Sequence, residues 1–222
     1  MDISTFNKRQ YQASFIFSIL ICLVTSGMAQ QKVLTLNEQE YFEMPGLNVM
    51  VFHDFYPEGH QGGVTIIQNG VRVASNGDLR LEPAPGQWQP VPKMGERFVD
   101  PNNNIISVPC FYPNPDRNGK GFNPIKYPDL QFQYKINVKA EGTSIRITVD
   151  LDKPLPVEWI GKVGFNLELF PGTLFGKTYY MDDAAGLFPR QLNGPMNRDE
   201  ESSFQIKPLA EGEKLTIVPE CN

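Results

Sequence analysis

The chain has 222 residues, of which 41% are hydrophobic and 20% charged, with a formal net charge of −5. This balance excludes both a polybasic nucleic-acid binder and a disordered acidic tail, since neither charge excess nor hydrophobic poverty is present. Nineteen Gly and nineteen Pro punctuate the chain too often for long helices, so the expected fold class is all-β.

The first segment reads as a targeting sequence. Lys8 and Arg9 form a basic flank, and Phe15 to Val24 is an apolar run of ten residues, half of the ~20 that span a bilayer. Gly27, Met28 and Ala29 then place small residues at the minus-three and minus-one positions, where the pockets of a signal peptidase are shallow. This predicts a signal peptide over residues 1–29, cleaved after Ala29. A buried N-terminal helix is the competing reading, disfavoured by the basic flank and the small-residue exit together. Cys22 raises the alternative of a lipoprotein, but Ile21 precedes it where a small residue is expected. Cleavage removes Asp2, Lys8 and Arg9, leaving 193 residues with a charge of −6 in the periplasm or outside the cell. Cys110 and Cys221 remain; an oxidising compartment permits a bridge between them, but two cysteines do not make a disulfide framework.

Short β-type runs come next: Leu47 to His53, Val64 to Gln68, Val71 to Ala74 and Leu79 to Glu82. They are separated by Gly62-Gly63, Asn69-Gly70 and Asn76-Gly77, and Asn-Gly supplies the positive φ of tight hairpins, so a meander is expected. The Pro-rich stretches Pro83 to Pro92 and Pro109 to Pro128 read as loops packed over a sheet. From Gln131 to Lys139, Phe132, Tyr134, Ile136 and Val138 alternate with polar residues. After Gly142 the alternation resumes with Ile145, Ile147, Val149 and Leu151, which predicts a hairpin central to the fold. Pro154 and Pro156 end that strand. Val163 to Leu169 alternates again, with Val163, Phe165, Leu167 and Leu169 on one face; Lys177 to Met181, Ser203 to Lys207 and Lys214 to Val218 follow. About ten strands without a helix-period stretch predict an antiparallel β-sandwich, with residues 30–222 as one domain. The chain stops directly after a β-type run, which reads as the front of something longer.

Candidate chemistry is sparse. His53, Asp54, Glu58 and His60 are residue types that suit zinc, but Pro57 and Gly59 make the segment a turn that matches no established metal spacing. A strand end followed by a polar loop is the favoured reading. Asp182-Asp183 offers adjacent carboxylates of the kind used for acid and base work. Neighbours on an extended chain point to opposite faces, so a turn built on Asp is favoured there. Cys110 lies between Pro109 and Phe111 with no histidine in an informative relation, and neither a Gly-x-Ser-x-Gly elbow nor a phosphate-binding Gly loop occurs. No catalytic residue, metal or cofactor is therefore expected. Exposed-looking aromatics, including Trp159 and Tyr180, could stack on sugar rings; Tyr56, Trp88 and Tyr112 are the candidate carbohydrate contacts.

Several stretches together resemble the N-terminal β-sandwich region of secreted family-nine-type, cellulase-like glycoside hydrolases of Bacteroidetes-type bacteria. They are His53 to Gly63, Asn69 to Pro83, Trp159 to Gly172 and Gly186 to Gln191, and the likeness covers most of residues 33–220. The resemblance implies an exported Gram-negative protein tied to polysaccharide breakdown. In such enzymes the sandwich packs beside an α-helical toroid that carries the catalytic carboxylates, and this sequence has no such toroid. Asp182 to Gly186 bears only a loose likeness to the family's Asp-rich motif, so no catalytic role is carried onto it. The expected function is a non-catalytic sandwich module, the front of a glycosidase, with polysaccharide or a missing catalytic domain as partner. The alternative is a stand-alone carbohydrate-binding or cell-surface structural protein.

Overall fold

Two antiparallel sheets face each other across an apolar interior in the computed structural model, which describes residues 33–53, 63–81, 92–117, 130–189, 197–198, 204–205 and 208–218. The signal-peptide segment lies outside the described residues. In chain order the strands are β1 (Thr35–Leu36), β2 (Phe42–Met44), β3 (Leu47–Val51), β4 (Val64–Gln68), β5 (Val71–Leu81), β6 (Lys93–Met94), β7 (Phe98–Asp100) and β8 (Ile105–Tyr112). They continue with β9 (Phe132–Glu141), β10 (Ser144–Leu151), β11 (Val163–Leu169), β12 (Thr178–Met181), β13 (Ala184–Leu187), β14 (Asn197–Arg198), β15 (Phe204–Gln205) and β16 (Leu215–Ile217). Among the described residues they are interrupted by one α-helical turn, α1 (Pro171–Leu174), and by 3-10 turns at Pro115–Arg117 and Val157–Trp159. The larger sheet has the order β1-β2-β3-β4-β5-β11, and the five-stranded sheet runs β10-β9-β8-β6 with β7 also on β8. The all-β sandwich expected from the sequence is thus observed, with eleven strands in its two main sheets.

The interior follows from period-two alternation. Along β9, Phe132, Tyr134, Ile136 and Val138 are buried while Gln133, Lys135 and Lys139 are exposed. Along β8, Ile106, Val108, Cys110 and Tyr112 face the same core. Opposite them stand Phe42, Val49, Val51, Val64, Leu79 and Leu81 of the larger sheet. At one end Arg97 ties the two sheets, its Nε donating to the Val51 carbonyl at 2.9 Å and its guanidinium also binding Glu40.

Four expectations need correction. The two Asn-Gly pairs behave differently. Asn69 and Gly70 have φ of 50° and 77° and close the β4–β5 hairpin, the left-handed pair that a two-residue turn requires. Asn76, with φ of 54°, lies instead inside the eleven-residue β5, where Val64 pairs with Gly77 but Ile66 with Ala74. The pair makes a β-bulge, which uses the same left-handed residue without ending the strand. Gly77 is required there, because a Cβ would lie 2.6 Å from that of Val64.

Pro109 was expected to open a loop, yet it lies inside β8 opposite Lys135. Its carbonyl accepts from Gly95 at 2.8 Å, so the side on which its missing N–H would point is the gap between β6 and β7, and no ladder bond to β9 is lost. The β9–β10 hairpin forms with the expected turn at Gly142. Its second strand, however, pairs only with β9 among the described residues, so Ile145, Ile147 and Val149 are half-buried and Leu151 is exposed. The outer side of this edge carries Arg146, Thr148 and Asp150, and Arg146 bonds Glu141 at 2.9–3.0 Å. Finally, the alternation along β11 breaks at a register shift between Asn166 and Glu168, and Phe165, though paired with the buried Leu79, is 38% exposed because β11 is the end strand of its sheet among the described residues.

Candidate functional site

The register places a chemically varied row across the outer face of the five-stranded sheet. Lys93 of β6 pairs with Phe111 of β8, and Phe111 pairs with Gln133 of β9. Gln133 then exchanges bonds with Asp152, just past β10: its amide donates to Asp152 Oδ1 at 2.9 Å, and the Asp152 amide donates to its carbonyl at 2.9 Å. The row floors an open cleft of about 570 Å³, flanked by Pro113, Pro115, Gln131 and Lys153. Lys93 is anchored by Asp116 at 2.9 Å. Further along the same face Ser107 Oγ donates to Asn137 Oδ1, and Asn137 Nδ2 to Asp150 Oδ2, both at 2.7 Å. One half-buried ring, side-chain amides, a carboxylate and ammonium groups are therefore presented together.

Of the three aromatic candidates, Tyr56 and Trp88 lie outside the described residues. Tyr112 borders this cleft, but it is 3% exposed and its ring packs on Phe132 with centroids 5.4 Å apart. Strand phase explains the correction: Cys110 and Tyr112 share the inward set, so Phe111 is the residue turned outward. Trp159 is likewise buried in the core, whereas Tyr180 is 44% exposed. Phe111 was missed because Pro109 marked its segment as loop, and the alternation of Ile106, Val108 and Cys110 was the signal that could have found it; Gln133 and Asp152 were read as polar-face residues of the hairpin, without the neighbouring ring that makes them a row.

The remaining reactive-looking groups have structural work. Asp182 has φ of 50° in the β12–β13 turn, and its carboxylate accepts from the amides of Glu213 and Lys214 at 2.8–3.2 Å. β3 stops at Val51, two residues short of the expected end at His53, while Asp54, Glu58 and His60 lie outside the described residues. Among the described residues no three His, Cys, Asp or Glu side chains gather in a way that could hold a metal ion. Cys110 is a free, buried thiol, and burial pushes its pKa up to about 12, with the Asp78 charge adding to the shift.

One titratable cluster bridges the sheets. Tyr134 of β9 donates its hydroxyl to Asp78 Oδ1 of β5 at 2.8 Å, and the Leu79 amide bonds the same oxygen at 2.6 Å. Burial raises the Asp78 carboxyl to about 6, against the lowering effect of these two donors. Burial and the Asp78 charge also hold the Tyr134 phenol well above its ordinary range. Comparison with family models, curated proteins and solved structures finds no match to this chain.

Proposed function

We propose that the chain is a non-catalytic β-sandwich module of an exported, polysaccharide-degrading glycoside hydrolase, touching glycan at the cleft on its five-stranded sheet. The observation that carries this reading is the row Lys93–Phe111–Gln133–Asp152. A ring suits the C–H face of a sugar, and amide and carboxylate groups beside it suit the hydroxyls. Hydrolysis, by contrast, needs two carboxyl groups about 5–9.5 Å apart with one of them protonated. Asp152 is the one carboxylate among the described lining residues, and it is already bonded to the Gln133 amide. Asp78, whose carboxyl burial raises to about 6, is committed to Tyr134 between the sheets. The module would thus hold glycan for a catalytic domain or pack beside one, with residues 1–29 directing export.

Protein recovered after secretion can be tested for retention on insoluble cellulose, mixed-linkage glucan and xylan, with reducing-sugar release followed in parallel. Retention on at least one polymer, weakened about tenfold in Phe111→Ala, with no sugar released, is the expected result. Release that survives repurification and disappears in Asp152→Asn would overturn the non-catalytic reading. Equal retention of wild type and Phe111→Ala would overturn the assignment of the cleft.

A further inference from the structure

A second cleft, of about 520 Å³, opens between β11 and the three-stranded sheet β13-β12-β16. Its walls are Leu167 and Leu169 of β11, Leu174 of α1, Met181 of β12, Phe188 and Leu215. At one rim stand Arg80, Asn166 and Glu168. Arg80 Nη1 donates to Asn166 Oδ1 at 3.2 Å, and Arg80 Nη2 lies 4.0 Å from Glu168 Oε1. Asn76 Nδ2 bonds the other Glu168 oxygen at 2.8 Å, so the rim is fixed from β5 as well as from β11. An apolar hollow of this size with a few convergent polar groups is the usual form of a small-molecule site.

We infer that this cleft binds a neutral amphiphile: an aliphatic chain whose end carries hydroxyl groups. The chain follows from the walls. Leucine and methionine side chains line them, and the aromatic pair present, Tyr179 and Phe188, is turned upon itself with centroids 4.9 Å apart. Tyr179 is also buried, so no flat open platform is offered to a sugar ring, while methylene groups fit irregular aliphatic surfaces well. The neutral head follows from the rim. Arg80 and Glu168 balance in charge, and with Asn166 they present donors and acceptors side by side. A hydroxyl both donates and accepts, whereas a carboxylate would have to displace Glu168 and an ammonium would have to displace Arg80. Leu209 and Leu215, each over two-fifths exposed, mark the mouth.

Calorimetric titration of the secreted protein with hexyl, heptyl and octyl glucoside, all below micelle formation, tests the site. Affinity should rise about fourfold per added methylene, octanoate and octylamine should bind at least tenfold more weakly than octyl glucoside, and free glucose should not bind. Leu215→Asp places a charge at the mouth on a residue 43% exposed, so it should keep the wild-type melting temperature and lose octyl glucoside at least tenfold. Met181→Trp fills the hollow and should do the same. Phe111→Ala, on the other cleft, should bind the glucosides normally, which separates this site from the proposed glycan cleft. Absence of binding, affinity independent of chain length, equal or tighter binding of octanoate or octylamine, or binding unchanged in both Leu215→Asp and Met181→Trp would overturn the inference.

Discussion

The sandwich up to Leu151 and the sheet β13-β12-β16 achieve order by different means. In the first, long strands with neighbours on both sides bury alternate side chains, and β8 and β9 together contribute nine buried core residues. In the second, which begins at Thr178, Tyr179 is the one buried apolar residue among those described, while Tyr180, Leu187 and Leu215 are each more than two-fifths exposed. What fixes the second region is individual contacts. The Asp182 carboxylate holds two amides of the segment leading into β16, and Gly186 lies so close to the Tyr179 ring that no Cβ fits between them. Stability in the first region is spread over an area; in the second it resides in a few bonds, and local opening should differ accordingly.

The sharpest way to break that contrast is a charge in each setting. Ile136→Asp, at a fully buried site in β9, should destabilise the protein by at least about 4 kcal/mol in urea melts, because burial is lost and an unpaired carboxylate is desolvated. Ile147→Asp, on the half-buried edge strand β10, should cost about 1–2 kcal/mol, since the new carboxylate can turn toward water. Equal losses would mean that β10 is covered as fully as β9.

An effect smaller than that of Ile136→Asp concerns the link between the sheets. Asp78 keeps its proton to about pH 6 in the folded chain but only to its ordinary 3.8 when unfolded. The folded state therefore binds more protons between those values, so this group's stabilising contribution is complete below pH 3.8 and lost as pH rises through 6. Its size is about 3 kcal/mol at most. Asp78→Asn should flatten the stability profile between pH 4 and 6; an unchanged slope would remove Asp78 as its source. The smallest effect belongs to the second region: Asp182→Ala deletes the acceptor for two amides and should cost about 1–2 kcal/mol. Hydrogen exchange should report this as faster exchange in β12 and β16 with β9 unaffected. Uniform acceleration throughout would show that the two regions open as one unit.

Much of the sandwich was legible because alternation and burial coincide where a strand is flanked on both sides. Phe132 to Val138 could be assigned a face from sequence alone, and Asn69-Gly70 a hairpin turn. Asn76-Gly77 could not be separated from it, since both sites need a left-handed Asn and only the pairing of β5 with β4 and β11 together distinguishes a bulge from a turn. The edge position of β10 was hidden for a similar reason: Ile145, Ile147 and Val149 alternate correctly, but the pattern does not reveal that β10 pairs only with β9 among the described residues. Phe111, the ring of the outer-face row, was hidden by Pro109. A proline inside a strand is tolerated only where its missing donor meets no partner, which is decided by β6 and β7 rather than by the neighbours of Pro109 in sequence.

The open side of β10 has a consequence for how copies of the molecule meet. A strand without an outer neighbour can template another chain, and a flat apolar one invites stacking into aggregates. Here an approaching strand would have to lie beside Arg146, Thr148 and Asp150 and disturb the Glu141–Arg146 pair, in which the guanidinium holds the Glu141 carboxyl below its usual range. The ion pair adds little to the folding of one molecule, yet it makes every misdirected meeting of two molecules strip water from opposite charges. The edge thus works as a deterrent against self-association, most effective at high protein concentration and weakened by acid that neutralises Glu141.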